Sequence, residues 1–496
     1  MALLSLITFL PLLGALVLLA IPKEKVKAIQ WTALVTMGAT FAVSIGMALA
    51  FDPGSLTSKL ESLPMQFIEH YSWIPTFNIY YYMGIDGLSL PIVVLTTLMC
   101  FLAGIYAMNI EKRVKEFYFW FLVLEMAMIG VFCALDLFLF YVFWEITLVP
   151  MYFLIGIWGG PNKEYAAIKF FLFTLFGSVF MLLGILAVYF NSTPHTFDML
   201  ELMHAHGAWT TKFQILAFLA FYLGLSIKIP AFPFHTWLPL AHVEAPTPVS
   251  VILAAVLLKM GVYGLLRINY SILPAGFEWF LPILVVIALI NVVYGAFCAM
   301  AQQDMKKMVA YSSINHMGYC LLGIAAVSSI GFTGAMLQVI NHGLITGAMF
   351  LLVGVLYDRA HTRDITAFGG LGAKLPIYTG LMALSAFASL GLPGLAGFIS
   401  EFLCFLGAFK VWPLYTSLCV IGILITAAFF LRMLQKVFMG PMNEKWKDLP
   451  DMNARELAAV IPLAVLTIVL GVWPRLALDY MTPTIQYLAD LSTWTR

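Results

Sequence analysis

The chain has 496 residues, of which 62% are hydrophobic and 10% charged, and its 26 Lys and Arg nearly balance 25 Asp and Glu. Soluble globular proteins carry about 25% charged residues because a water-facing surface needs them, so this composition, with a mean hydropathy of +0.96, excludes a large soluble domain and marks an integral membrane protein. A net charge of +1 also excludes the broad basic surface that nucleic-acid binding requires.

A membrane-spanning helix takes about 20 apolar residues, and apolar runs between polar, Pro or Gly breaks predict about fourteen of them in one all-α domain over 1–496. The first, 3–22, has no basic stretch before it and no small-residue cleavage site before Pro22, so it is expected to be a retained span rather than a removed signal peptide. Spans follow over 28–50, 86–107, 116–134, 137–158, 166–190, 213–239 and 247–268, then over 276–300, 306–326, 330–356, 376–409, 414–437 and 456–476. Cys100, Cys133, Cys298, Cys320, Cys404 and Cys419 all fall in apolar runs without the close pairing that metal and redox sites use, and they read as packing residues. The chain carries no iron-sulfur, haem, flavin or nucleotide motif and no metal-ligand cluster.

Cytoplasmic loops hold an excess of Lys and Arg, and here every other loop is basic. Lys23, Lys25, Lys27, Lys112, Arg113, Lys115, Lys163, Lys306, Lys307, Arg359, Arg363, Lys374, Arg432, Lys436, Lys445, Lys447 and Arg455 fall on one side. Lys59, Lys212, Arg267, Lys410, Arg475 and Arg496 fall on the other. An even number of spans is therefore expected, with the loop after the first helix inside and both termini outside.

Two spans carry helix breakers at membrane depth. The seventh contains SIKIPAFPFH over 226–235 and the twelfth LGLPGLAGF over 390–398. Proline removes a backbone donor and clashes with the preceding turn, and freed backbone groups are tolerated inside a bilayer only where protein or a wet cavity satisfies them. Interrupted helices at corresponding places predict two repeats around a midplane site: helices 4 to 8 over 116–268 and helices 9 to 13 over 276–437. Five helices is an odd number, so the copies must be inverted. The alternative is a pair of kinks that only shape packing.

Charged residues inside the membrane cost about 2.5–3.5 kcal/mol each on insertion scales and are functional candidates for that reason. Glu145 in the fifth span, Lys228 before the break in the seventh, Lys259 central in the eighth and Glu401 after the break in the twelfth form such a set, with His316 and His342 near the middles of the tenth and eleventh. Burial disfavours the charged form of each and an opposite charge nearby restores it, so a buried lysine can switch its proton; histidine suits a relay because it titrates near neutrality and offers two ring nitrogens. The competing readings are a static Glu145–Lys228 ion pair, a Glu401 carboxylate satisfying broken-helix amides, and histidines that only bridge helices. His235 and His242 sit nearer the end of the seventh span, where interfacial positions serve equally well, and Lys169 and Glu125 are near enough to helix ends to snorkel.

FWEITLVPM over 143–151, HVEAPTPVS over 242–250 running into LLKMG over 257–261, MGIDGLS over 83–89, QDMK over 303–306, AYSSINHMG over 310–318 and LPGLAGF over 392–398 with Glu401 resemble the antiporter-like membrane subunits of respiratory complex I, NADH:quinone oxidoreductase. The resemblance covers almost the whole chain. Of the three such subunits in the family, it favours the one with glutamate in place of lysine on helix 12, given the YDRAHTR loop over 357–363 and the short stretch after the last span. The resemblance implies proton translocation coupled to quinone reduction in partner subunits. It puts Glu145, Lys228, Lys259 and Glu401 on the family's proton-channel positions and His316 and His342 on its central axis. It also implies that NADH, FMN, iron-sulfur clusters and quinone are bound by partner subunits, with no cofactor in this chain. The implied partners are the other membrane subunits, including the two related antiporter-like ones, within the lipid bilayer of a bacterial inner membrane. Two other readings stand beside it: a subunit of an Mrp-type sodium or potassium/proton antiporter, and a scaffold that moves no protons.

Overall fold

The structure, a computed structural model, describes residues 2–54 and 65–494. Lys59 and Arg496, assigned above to one face of the membrane, lie outside the described residues. Two helices open the chain, α1 (Leu3–Ala20) and α2 (Val26–Ala50), followed by strands β1 (Gln66–Ile74) and β2 (Ile79–Ile85). Helices α3 (Leu90–Tyr106), α4 (Val114–Cys133), α5 (Leu137–Ile146), α6 (Leu148–Trp158), α7 (Lys163–Asn191) and the short α8 (Met199–Ala205) come next. The interrupted seventh span is α9 (Thr211–Lys228) and α10 (Trp237–Glu244), and the eighth is α11 (Thr247–Ile252) and α12 (Leu258–Gly264), with π-helical turns at Leu253–Leu257 and Leu265–Tyr270. The second half contains α13 (Pro274–Met300), α14 (Met305–Ala325), α15 (Ser329–Ala360), α16 (Leu371–Lys374), α17 (Pro376–Ser389), α18 (Ala396–Phe409), α19 (Pro413–Phe438), α20 (Ala454–Val472) and α21 (Arg475–Trp494).

The chain is a multi-pass membrane protein: among the described residues 12 helices are long and apolar enough to cross a bilayer. At the other two predicted spans the helices fall outside that measure. Helix α14 carries Ser312, Ser313, Asn315 and His316 in its buried middle, which lowers its hydropathy, and the twelfth span is divided into α17 and α18.

Three features depart from the sequence expectation. An antiparallel hairpin, β1 with β2, turns at Asn78 in the left-handed region (φ 52). It explains why a carboxylate sits buried there: Glu69 accepts from the backbone N–H groups of Leu4 at 2.7 Å and Ser5 at 3.1 Å, satisfying donors that the first turn of α1 leaves free. Secondly, α21 extends the chain after the last span and ties two outer ends together. Gly87 N–H donates to Thr484 Oγ1 at 3.0 Å, and the Tyr270 hydroxyl donates to the Leu488 carbonyl at 2.8 Å. A Cβ on Gly87 would lie 2.0 Å from the Tyr480 carbonyl oxygen, so α21 can pack there only against glycine. Thirdly, the fifth span is interrupted at Thr147, between α5 and α6.

Arg267 is not in an exposed loop. It lies buried at the end of the eighth span, bonded to Asp86 at 2.6 Å and to the Tyr263 hydroxyl at 3.2 Å, and Asp86 in turn accepts from Leu88 N–H and Ser89 N–H at 3.0 and 3.1 Å. Lys306 is likewise buried, its ammonium donating to the Ala245 carbonyl at 2.5 Å.

The two ends of the bundle agree with the alternating charge pattern. On the basic side, Lys115 donates to the Leu19 and Ile21 carbonyls, Trp158 Nε1 to the Lys112 carbonyl, Arg363 to the Val243 carbonyl, and Arg455 to Asn109. At the other end, Asn78 donates to the His195 carbonyl, and Asp136 caps α5 by accepting from Phe138 and Leu139 N–H at 2.8 and 3.0 Å. Burial pushes the Asp136 carboxyl up to about 6, against the opposing pull of its backbone hydrogen bonds.

Candidate functional site

Both helix breaks are closed by side chains from neighbouring helices. In the seventh span, Asn291 of α13 accepts from Phe232 N–H at 2.8 Å and donates to the Pro230 carbonyl at 3.2 Å. Trp237 Nε1 donates to the Ile227 carbonyl at 3.0 Å. In the twelfth, Gly391 (φ +81) and Gly394 (φ +90) supply left-handed turns that other residues rarely adopt, and Asn341 of α15 donates to the Ala396 carbonyl at 2.6 Å. An asparagine from a neighbouring helix at each break satisfies backbone that the bilayer cannot.

Lys228 ends α9 and is 1% exposed. Its ammonium lies 3.5 Å from Thr147 Oγ1, 5.3 Å from the Trp144 ring centre and 5.7 Å from that of Phe170, so two aromatic faces replace part of its hydration. Glu145, one residue on from Trp144, stands beside Tyr141, and its Oε1 is buried with no hydrogen-bond partner. Among the described residues no ion pair joins Glu145 to Lys228. Glu145 acts on Lys228 through space rather than by direct contact, and the interruption at Thr147 puts a hydroxyl and an indole next to the lysine as well.

The other four residues are drawn together. Lys259, fully buried between the two π turns, donates to the Ala254 carbonyl at 3.0 Å and is hydrogen-bonded to His342 Nδ1. A π turn leaves a carbonyl without its usual helical donor, and the lysine reaches back five residues to one. The ring centres of His342 and His316 are 5.5 Å apart. His316 Nδ1 meets Glu401 Oε1 at 3.0 Å, and its Nε2 meets the Ser389 hydroxyl at 3.0 Å. A cavity about the size of one water molecule lies among His316, His342, Gln338, Thr346, Ser389 and Glu401. His342 Nε2 is buried beside it without a partner. Lys259, His342, His316 and Glu401 thus form a row from α12 through α15 and α14 to α18. Among the described residues no hydrogen bond joins Lys228 to Lys259, so the Glu145–Lys228 group is a separate cluster.

Lys228 is the last residue before its break, whereas Glu401 is the sixth residue of the helix after its own. The two charges therefore do not occupy matching steps of the two interrupted helices.

The second group of candidates is placed as follows. His242 is fully buried, stacked on Phe350 at 4.5 Å, with neither ring nitrogen bonded. His235 is 4% exposed and packs against Phe232 and Tyr294. Glu125 does not snorkel: it is fully buried within α4 and neither carboxyl oxygen has a protein partner. Lys169 lies over the Tyr165 and Phe173 rings, each at 5.8 Å. Sequence reasoning missed Thr147, Trp144, Gln338, Ser389 and Ser400. The signal for Gln338 was its place one helical turn before His342 in an otherwise apolar span.

Among the described residues no group of three or more His, Cys, Asp or Glu is arranged to hold a metal ion, and the six cysteines are free thiols, five of them fully buried. The model of the family described as "NADH:quinone oxidoreductase/Mrp antiporter, TM" matches residues 134–426. NADH-quinone oxidoreductase subunit M of Rhodobacter capsulatus is 44% identical, over 99% of this chain and 98% of its own. The structure is similar to a chain of respiratory complex I from Thermus thermophilus, with a TM-score of 0.88 and 30% identity over 99% of both chains. It also shares its fold with a chain of the Mrp complex from Dietzia, at a TM-score of 0.86 and 21% identity, covering 100% of this chain and 99% of that one.

Proposed function

Because the chain belongs to the NADH:quinone oxidoreductase/Mrp antiporter family of transmembrane proteins, we propose that it is the M-type antiporter-like subunit of a bacterial complex I, moving protons across the inner membrane while partner subunits reduce quinone. NADH, FMN, iron-sulfur clusters and quinone belong to those partners, among them the two related antiporter-like subunits. Helices over 116–268 and 276–437 act as two inverted copies, each opened by one broken helix. The basic loops face the cytoplasm.

The observation that carries this reading is the row Lys259–His342–His316–Glu401. The short contact between Lys259 Nζ and His342 Nδ1 accommodates one proton, not two, because two donors facing each other would repel. With the lysine charged, Nδ1 accepts and the imidazole carries its hydrogen on Nε2; with the proton moved to Nδ1, the Nε2 hydrogen is free to leave toward the cavity. On the far side, the Ser389 hydroxyl, which also lines the cavity, takes a proton from it while passing its own to His316 Nε2, and His316 gives its Nδ1 proton to the Glu401 carboxylate. Each transfer crosses one hydrogen bond or one intervening water, so no side chain has to carry a bare charge through the apolar interior. Lys228, supported by Trp144, Phe170 and Thr147, is the loading site of the first copy, and Glu145 governs its charge from partial burial nearby.

Tagging the chain and purifying it tests the assignment. Recovery of an NADH-oxidising assembly whose vesicles take up protons on NADH addition, without a need for sodium or potassium, supports it. Recovery of an assembly that exchanges sodium or potassium for protons and oxidises no NADH would replace it with the antiporter reading. Lys228→Ala is expected to leave the assembly intact and strongly reduce redox-driven proton uptake.

A further inference from the structure

We propose that Gln338 is the residue that positions Glu401, holding one carboxylate oxygen on His316 while the other faces a separate crevice. The inference rests on the proton row described above and adds a member that is not itself titratable. Gln338 lies on α15, one turn before His342, and is 2% exposed. Its Nε2 donates to Glu401 Oε1 at 3.3 Å, the same oxygen that His316 Nδ1 reaches at 3.0 Å. Its Oε1 accepts from the Ser400 hydroxyl at 2.5 Å.

Ser400 Oγ accepts from Asn341 Nδ2 at 3.1 Å, and that amide is already committed to the broken helix through the Ala396 carbonyl. The Ser400 hydroxyl has three acceptors in reach, Gln338 Oε1 at 2.5 Å, the Gly397 carbonyl at 3.1 Å and the Ala396 carbonyl at 3.4 Å, and the first is much the nearest. Asn341 donates to Ser400, Ser400 donates to Gln338, and the amide of Gln338 is left presenting its N–H to Glu401. A flipped amide would set its carbonyl oxygen against the carboxylate, which repels it whenever Glu401 is charged.

The opposite side of Glu401 is open. Glu401 lines a second cavity with Leu390, Gly391, Phe398, Phe402 and Phe405. A Cβ at position 391 would come within 3.2 Å of Oε2, so glycine keeps that oxygen uncrowded. Two donors on Oε1 and none from the crevice keep the carboxylate turned inward. Without the Gln338 donor, rotation of the carboxylate into the crevice breaks its link to His316. Gln338 thus fixes which side of the barrier Glu401 receives its proton from.

Gln338→Met keeps the length of the side chain and removes both hydrogen-bonding groups. Measured on the whole purified complex in liposomes, the variant is expected to slow NADH-driven proton uptake about tenfold, the loss of one charge-assisted hydrogen bond. Combined with Glu401→Gln, it should slow uptake no further than Glu401→Gln alone. The infrared carboxyl band assigned to Glu401, by its absence in Glu401→Gln, should shift in Gln338→Met. Ser400→Ala, which releases the amide without removing it, should shift the same band less; it carries the test if Gln338→Met does not assemble. Additive losses, or an unshifted band, would overturn the positioning role and leave the proton row standing. Normal uptake in Glu401→Gln would overturn that row instead, and the band shift would still decide the geometry around Gln338.

Discussion

Lys259→Arg separates a fixed positive charge from a releasable proton. Lys259 has two acceptors, the Ala254 carbonyl at 3.0 Å and His342 Nδ1, and a guanidinium keeps both the charge and the donors needed for them. What it gives up is the ability to lose a proton. Arginine holds its proton about 2–3 pH units more tightly than lysine in water, and at about 1.36 kcal/mol per unit the same site makes release harder by about 3–4 kcal/mol. If release from Lys259 limits transport, uptake should fall about 100- to 1,000-fold. Lys259→Met controls for packing: it keeps the length but strands the Ala254 carbonyl and His342 Nδ1, which costs about 1–3 kcal/mol for each unsatisfied group. The assay is NADH-driven acidification of inside-out vesicles, normalised to assembled complex. An Arg variant that pumps at the normal rate would refute proton release from this residue and leave only a static charge.

Glu145→Asp should retain most of the pumping activity and Glu145→Gln little of it, because the first keeps a titratable carboxyl and the second only its shape; the reverse order in the same vesicle assay would mean packing alone. Asp86→Ala or Arg267→Met should each lower stability by about 3–5 kcal/mol by stranding a buried charge, while Asp86→Asn combined with Arg267→Met costs less, since the amide oxygen still accepts from the Leu88 and Ser89 N–H groups; thermal unfolding of the purified complex reports the difference. Asp136 binds its proton more tightly in the folded chain, with its carboxyl at about 6 against an ordinary 3.8. The folded state therefore holds an extra proton between about pH 4 and 6, and stability falls by about 1–3 kcal/mol as pH rises through that window. Asp136→Asn should flatten that slope in a thermal-midpoint series. A slope unchanged by the substitution would mean that another group titrates there.

The membrane class, the order of spans and the two broken helices were legible because each rests on a local rule: about 20 apolar residues per span, proline at depth, and positive charge on alternate loops. The titratable members of the row were legible for the same reason, since a charge in an apolar run is visible without knowing its neighbours. Their pairing was not. Charge alone suggested Glu145 beside Lys228, but gave no sign of the aromatic faces and hydroxyl around Lys228 or of the histidine 83 positions from Lys259. Glu125 looked shallow because its distance from a helix end says nothing about what surrounds that end. The hairpin was missed because its aromatic-rich strands, Tyr71 and Trp73 with Tyr80, Tyr81 and Tyr82, lie between spans and lack a clean alternation. The π turns around Lys259 leave no composition signal at all.

The most direct test of the row is to remove its middle. His342→Met takes away the ring between Lys259 and the His316–Glu401 pair while keeping an apolar side chain of similar reach in α15. Proton uptake and NADH oxidation would be measured together on the purified complex in liposomes. The account predicts slowed proton transport, seen as fewer protons per NADH or as slower coupled turnover. Wild-type rate and wild-type proton yield in the intact His342→Met complex would contradict it.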